Sequence, residues 1–357
     1  LQIWIGKWLG LTALTALMLA FCGLSTYGML KWSTQEGSLA PDEDAILRND
    51  VLVARRSVLP EPESVDEAAR KDLEERAAHQ LLPENIRMED AFREIRKQHL
   101  VRANTIESGQ KKTWVFRLPG RIDPGRELLL RYRIASSLVY LEPIAGLWRI
   151  GGTEITQEIS PGGQSRITFP ASVVKANNTV EVEYSNIHKQ PVTVLFPPSD
   201  GLELLVYEGT FEANYIRSLL VIFFDLCFLA AIGVTAGSLF SMPVAAFVSI
   251  YLLILLNITG FLQALATSED LSFVEIPNAV PERPVKAVLG FLYKSIYYVV
   301  KPLDFPNPLD LVYTGHIVSW GLVLKVFAIQ AVLYIAALAV LGTGVIRRRE
   351  MAIPAQE

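Results

Sequence analysis

The sequence predicts an α-helical membrane protein: four transmembrane helices plus an extracytoplasmic antiparallel β-sandwich or jelly-roll-like domain with a short helical arm. Three observations predict it. The hydrophobic share of 51% concentrates in four runs of roughly 20 residues, the length that crosses about 30 Å of hydrocarbon at 1.5 Å per residue. Between the first two runs lies a long polar stretch punctuated by Pro and Gly, in which the apolar period becomes two. The stretch Tyr207–Phe247 joins the two regimes without a linker. It begins as a strand end, crosses as one helix from Tyr215 to Phe240 and turns back through Ser241-Met242-Pro243.

In chain order, residues 1–32 form the first span. Its apolar run, Leu9–Leu30, is led by Trp4, Lys7 and Trp8 and closed by Lys31 and Trp32, with the tryptophans placed as interfacial belts. No charged n-region or small-residue cleavage site accompanies the run, so it reads as a span and not a signal peptide. A chain opening this near a span is expected to be N-terminally truncated. Gly10, Ala13, Ala16, Ala20 and Gly23 recur at spacings that let a neighbouring helix approach.

Residues 33–110 read as an extracytoplasmic linker, Ser33–Pro60, followed by charged helices. Ser64-Val65-Asp66-Glu67 has the form of a capping box and predicts a helix to Leu82. Pro83 breaks it, and Glu84–Val101 reads as a second helix with Ile86, Phe92, Ile95 and Leu100 on one face. A solvated arm is the favoured reading of both. Residues 111–210 form the β-domain. Thr113–Leu118, Glu127–Ile134, Leu138–Glu142, Gly146–Ile150, Ser165–Phe169, Thr179–Tyr184, Pro191–Phe196 and Leu202–Tyr207 are the strand candidates, separated by Pro/Gly turns. Trp114, Phe116, Tyr132, Tyr140 and Trp148 alternate with polar neighbours and read as core, with a sugar-stacking face as the alternative.

Residues 211–266 form a transmembrane hairpin whose second arm is Val244–Leu265. Residues 267–312 are a Pro-rich external loop, in which Val285–Lys301 carries the tyrosines and lysines of an interfacial or re-entrant helix. Residues 313–346 hold the last span, Val326–Ile346, and residues 347–357 are a tail opening on Arg347-Arg348-Arg349. Those arginines orient the chain, since cationic flanks stay cytoplasmic. Residues 31–216 are then extracytoplasmic. Arg217 and Lys325 lie near outer ends, where a long side chain can snorkel.

A formal net charge of -4 argues against nucleic acid as a partner. Both cysteines, Cys22 and Cys227, lie in apolar runs, which leaves no disulfide framework for the soluble part. No phosphate-loop motif, nucleophile elbow or metal-ligand spacing of the four histidines occurs, and no enzyme or cofactor is read. Ser160-Pro161-Gly162-Gly163-Gln164 reads as a turn. Asp225 stands out: it lies a third of the way along the second span, where a carboxylate costs roughly 2.5–3.5 kcal/mol. Asn257 and Gln330, in the third and fourth spans, are its candidate polar neighbours. A polar transport path and an inter-helix clamp are both open readings.

Glu208–Arg217 (EGTFEANYIR), the hairpin from Gly233 through Ser238-Leu239-Phe240-Ser241-Met242-Pro243-Val244-Ala245, and the ending Gly344–Glu350 (GVIRRRE) together resemble bacterial ABC-2 type transporter permeases with an extracytoplasmic β-domain between spans. Leu1–Leu11 is similar to the family's stretch leading into its third span, with Gly6-Lys7 as a recurring pair. The resemblance covers about half the chain. It implies that the four spans are the last four of six. It also implies a location in the bacterial cytoplasmic membrane, a separate cytoplasmic ABC ATPase subunit touching Gly6 and Lys7, and a second permease copy or homologue. The expected function is the permease subunit of an ATP-driven exporter, in contact with membrane lipid. The alternatives are a non-transporting anchor or sensor whose β-domain binds a ligand or envelope partner, and a permease of the lipopolysaccharide-exporter type.

Overall fold

The computed structural model describes residues 2–35, 40, 47–82, 87–120, 122–136, 142–198, 200–258 and 282–350. The chain divides into two compact units. One comprises Arg55–Glu208, the other Leu1–Ala54 with Gly209–Glu357.

The first unit is the β-domain with its arm. Its strands are β1 (Val53–Val58), β2 (Thr105–Ile106), β3 (Lys111–Arg117), β4 (Glu127–Arg133), β5 (Ala135–Ser136), β6 (Ile144–Ile150), β7 (Thr153–Ile159), β8 (Gln164–Pro170), β9 (Thr179–Asn186), β10 (Val194–Leu195) and β11 (Leu202–Thr210). They form one four-stranded sheet in the order β1-β11-β4-β8, a second in the order β3-β9-β6-β7, and a small sheet β2-β10-β5. Alternation fixes the register: Leu128, Leu130 and Tyr132 of β4, Leu204 and Val206 of β11, and Val180, Val182 and Tyr184 of β9 all enter one core. The predicted β-domain is therefore present, with strands of both four-stranded sheets lining one core.

Trp114, Phe116, Tyr132 and Trp148 lie in that core, so they offer no stacking face; Tyr140 lies outside the described residues. Trp148 is the centre, with ring centroids 4.6 Å from Tyr132, 4.8 Å from Tyr184 and 5.8 Å from Phe196. Such pairs are worth about 0.5–1.5 kcal/mol each beyond area burial. Gly146 makes the arrangement possible, since a β-carbon there would sit 2.4 Å from the Tyr184 ring. Burial pushes the Tyr132 hydroxyl up to about 12 and raises that of Tyr184 as well.

Beside the two-residue strands β2 and β5, two longer strands depart from expectation. β1 lies inside the stretch read as a linker: its Arg55-Arg56 breaks the apolar alternation, yet Arg56 pairs with Glu208 and Ser57 donates to Glu203 at 2.6 Å across the strand pair. β7 is an edge strand with only Ile159 buried, so it carries no apolar alternation to find. Residues 137–141, where most of the Leu138–Glu142 candidate falls, lie outside the described residues. Ser160–Gln164 is the turn expected, with Gly162 at φ 80°.

The arm consists of α1 and α2 of this unit, hereafter the arm helices Asp66–Ala78 and Met88–Ala103. The capping box does not form. Val65 takes the cap position without a side-chain bond, and its own side chain is buried. Ion pairs replace the cap, with Asp66 held by Arg96 at 2.6 Å and Asp72 by Arg76 and His99. Gln80, at φ 55°, ends the first arm helix short of Leu82.

The second unit holds the apolar helices, labelled here by function in the bundle. The N-helix is Gln2–Ser33, the hub helix Phe211–Leu239, the return helix Met242–Asn257, the tyrosine helix Glu282–Val300, and a short helix Pro308–Tyr313 follows. The last helix runs through Trp320–Val326, a π-helical stretch Phe327–Tyr334, and Ile335–Glu350. Among the described residues, three helices are long and apolar enough to cross a membrane: Gln2–Ser33, Phe211–Leu239 and Trp320–Arg347. This is the composition of a membrane-embedded protein carrying a β-domain. The return helix is shorter, and residues 259–281, which include the rest of the Val244–Leu265 candidate, lie outside the described residues. Among the described residues, three of the four expected spans are present at full length, with Met242–Leu252 as a shorter apolar helix.

Candidate functional site

The hub helix organises the second unit. Thr210, the last residue of β11, caps it by accepting from the Ala213 N–H at 3.4 Å. Its partners reveal the directions of its neighbours. Glu212 pairs with Lys31 at 3.1 Å, the Tyr215 hydroxyl donates to the Gly23 carbonyl at 3.0 Å, and Trp8 donates to the Cys227 carbonyl at 3.0 Å. Numbers rise on one helix as they fall on the other, so the N-helix runs antiparallel to the hub. The packed stripe is Trp4, Thr12 and Gly23, while Ala13 and Ala20 of the expected small-residue face are exposed. Of that face's two glycines, Gly10 has nothing within 4 Å, whereas a β-carbon on Gly23 would sit 3.0 Å from Leu219.

The last helix runs parallel to the hub. Asn214 is fully buried; its amide donates to the His316 carbonyl at 2.8 Å and its oxygen accepts from the Val318 N–H at 2.7 Å. Further along, Phe224 meets Phe327 at 5.3 Å and Phe228 meets Tyr334 at 5.8 Å. Near the far end Thr235 donates to the Leu338 carbonyl at 3.3 Å and accepts from Trp4 at 3.2 Å. Trp4 lies where a β-carbon on Gly342 would stand, 2.5 Å from its ring nitrogen, so glycine is required there. Arg217 and Lys325 rest over the rings of Trp320 and Phe305, at 5.3 and 5.7 Å.

Between the two aromatic contacts lies the polar pair. Asp225 is half-buried, and Gln330, 5% exposed, has its side chain against the Asp225 carboxylate. The Gln330 side-chain oxygen is buried and has no hydrogen-bond partner. Gln330 belongs to the π-helical stretch, where the Ile335 N–H donates to the Gln330 carbonyl five residues back. A π-turn widens the helix and is a frequent feature of functional sites. The arrangement sets the Gln330 amide against the Asp225 carboxylate and leaves the amide oxygen buried without a partner, a polar pair on two apolar helices. The structure thus brings together Asp225 and Gln330; the Asn257 side chain lies outside the described residues. No family model matches the sequence. A comparison with curated proteins finds no match either.

The remaining predicted residues gather at one end of the bundle. Trp4 against Gly342 puts the exposed Gly6 and Lys7 at the same end as the exposed Arg347. The side chains of Arg348 and Arg349 lie outside the described residues. Among the described residues, no group of three or more His, Cys, Asp or Glu is placed to hold a metal ion. Sequence reasoning missed Asn214 and the Trp4–Thr235–Gly342 cluster. The signal for Asn214 was its position, an amide in the first turn of an apolar helix.

The β-domain holds a separate cleft of about 760 Å³, lined by Leu59–Glu63, the end of the second arm helix from Arg96, Lys111–Val115 of β3, and Phe196-Pro197-Pro198.

Proposed function

We propose that this chain is the permease subunit of an ATP-driven ABC-2 type exporter in the bacterial cytoplasmic membrane, working with a separate cytoplasmic ATPase and a second permease copy. The observation that carries the reading is the Asp225–Gln330 pair. A carboxylate within an apolar helix is costly and marks a substrate or ion path, and here it meets a π-turn on a helix running parallel to its own.

The parallel direction also supports the fourth crossing. Two parallel helices joined in sequence need a return path, and the return helix of 16 residues rises about 24 Å at 1.5 Å per residue. On this reading the β-domain is extracytoplasmic, and Gly6, Lys7 and Arg347–Arg349 form the cytoplasmic end where the ATPase docks. The tyrosine helix, with Phe291 and Tyr298 exposed, faces lipid.

The test is reconstitution of the full assembly. An ABC ATPase should co-purify under mild detergent, and its hydrolysis should be stimulated by the chain. Asp225→Asn at normal protein levels should lower transport at least tenfold. Intact transport in Asp225→Asn would reduce the pair to a structural clamp, and absence of any ATPase would favour the anchor or sensor reading, which the β-domain cleft makes specific.

A further inference from the structure

β3 is an edge strand, bonded on one side to β9 alone. The Val115 carbonyl faces outward, because it accepts the Glu61 N–H at 2.8 Å. Alternation then turns the backbone groups of Lys111 and Thr113 outward too, since residues two apart in a strand share a direction. Among the described residues, neither Thr113 backbone group nor the Val115 N–H has a backbone partner. These groups form the floor of the 760 Å³ cleft.

The chain already places an extended segment on this edge. Glu61 pairs with Arg117 at 2.7 Å and Glu63 with Lys112 at 2.7 Å, so Pro60–Glu63 runs antiparallel to β3. It is a poor strand. Proline fixes φ near about −65°, short of a fully extended strand, and among the described residues only the Glu61 N–H of the strap makes a backbone bond to β3. The edge beneath it is basic, carrying Lys111, Lys112 and Arg117, with Lys111 and Arg117 well exposed. An unpaired strand edge is a template for another strand, and edge addition is a recurring mode of peptide recognition.

We infer that the cleft is a docking groove for an extended, acidic polypeptide segment of a partner, which adds antiparallel to β3 and displaces the Pro60–Glu63 strap. A segment free to extend fully makes the backbone bonds to Thr113 and the Val115 N–H that the proline-stiffened strap does not make, and its carboxylates take over Arg117 and Lys112. The inference is independent of the transport reading and holds equally for an anchor or sensor.

The test uses the full chain in detergent and a phage-displayed library of random twelve-residue peptides, with binding of synthesised winners read by fluorescence anisotropy. Acid-rich winners are expected. Glu61→Ala with Glu63→Ala frees the edge and should tighten binding about fivefold, the worth of two partly exposed ion pairs. Thr113→Pro deletes one outward N–H without touching the β9 ladder and should weaken binding about tenfold. Methylating the peptide amides should abolish binding at alternate positions only. This last measurement leaves the protein unaltered, so it decides even where Thr113→Pro unfolds the domain. Failure to enrich any peptide, binding insensitive to the strap substitutions, or a methylation profile without alternation overturns the inference.

Discussion

Replacing Asn214 with alanine removes two hydrogen bonds that fasten residues 316–318 to the hub helix and leaves the longer one from Arg217 to the Val318 carbonyl at 3.4 Å. Each is worth about 1 kcal/mol net, and leaving the buried Val318 N–H without its acceptor adds about 1–3 kcal/mol. Partial relaxation brings the expected total to about 3 kcal/mol, roughly a hundredfold in a local opening equilibrium. The assay is hydrogen exchange followed by mass spectrometry on the detergent-solubilised chain. Peptides covering 316–323 should lose about a hundredfold in protection, while β-domain peptides stay unchanged. Asn214→Asp keeps an acceptor for the Val318 N–H and loses the donor, so it should fall between. Protection altered by less than threefold in Asn214→Ala would refute the clamp. Loss spread evenly over the chain would show that Asn214 stabilises the whole fold and not the start of the last helix.

Other outcomes follow from the same contacts. Gly342→Ala drives a methyl group into the Trp4 ring and should cost about 1–3 kcal/mol, seen as a lower thermal midpoint that Trp4→Ala partly restores in a double-mutant cycle. Asp72 is held below the usual carboxylate range by Arg76 first and His99 second. A depressed carboxylate stabilises above its unfolded value of about 3.9 and loses that contribution as pH falls through the folded value. The arm helices should therefore exchange faster on acidification below pH about 4, and Asp72→Asn should abolish that acid step. For Tyr132, raised to about 12 by burial, the sign is opposite. Between pH about 10 and 12 the unfolded chain ionises first, so the β-domain should lose stability in that window. Tyr132→Phe should flatten the loss in alkaline unfolding followed by tyrosine absorbance.

How much was legible depends on which physical force set each element. Burial on one face leaves a period, so β4, β9 and β11 were readable from Leu128, Leu130 and Tyr132, from Val180, Val182 and Tyr184, and from Leu204 and Val206. β1 and β7 are held by backbone pairing and by ion pairs at a sheet edge, which leave no apolar period, and both were missed. The capping box matched its pattern and failed, because Val65 gained more from burial than Ser64 could from capping. In the bundle, Asp225 was conspicuous by its cost. Gln330 could be named as a polar residue in the last span, but its role depends on the π-turn. That turn spans the stretch whose ends, Phe327 and Tyr334, meet Phe224 and Phe228 of the hub helix, and tertiary contacts of this kind have no signature in local sequence.

The junction shows the same division between what hydropathy measures and what a helix needs. The apolar run places the start of the second span at Tyr215, but the helix begins four residues earlier, at Phe211. Those four residues are polar in part because they satisfy the helix start. Thr210 caps it, and the Glu212 carboxylate lies in the first turn, where the helix dipole favours a negative charge. Glu212 also meets Lys31 of the N-helix, so one side chain serves both the cap region and the pairing of two apolar helices. Hydropathy marks where hydrocarbon is tolerated; capping marks where the backbone turns helical. Here the two differ by one turn, and Thr210 belongs at once to the last strand and to the hub helix. An insertion of flexible Gly/Ser residues after Thr210 separates these roles. It leaves β11 and the apolar run intact while parting Thr210 from the helix start it caps, so a chain in which the β-domain acts through the hub helix should lose that coupling and keep both folds.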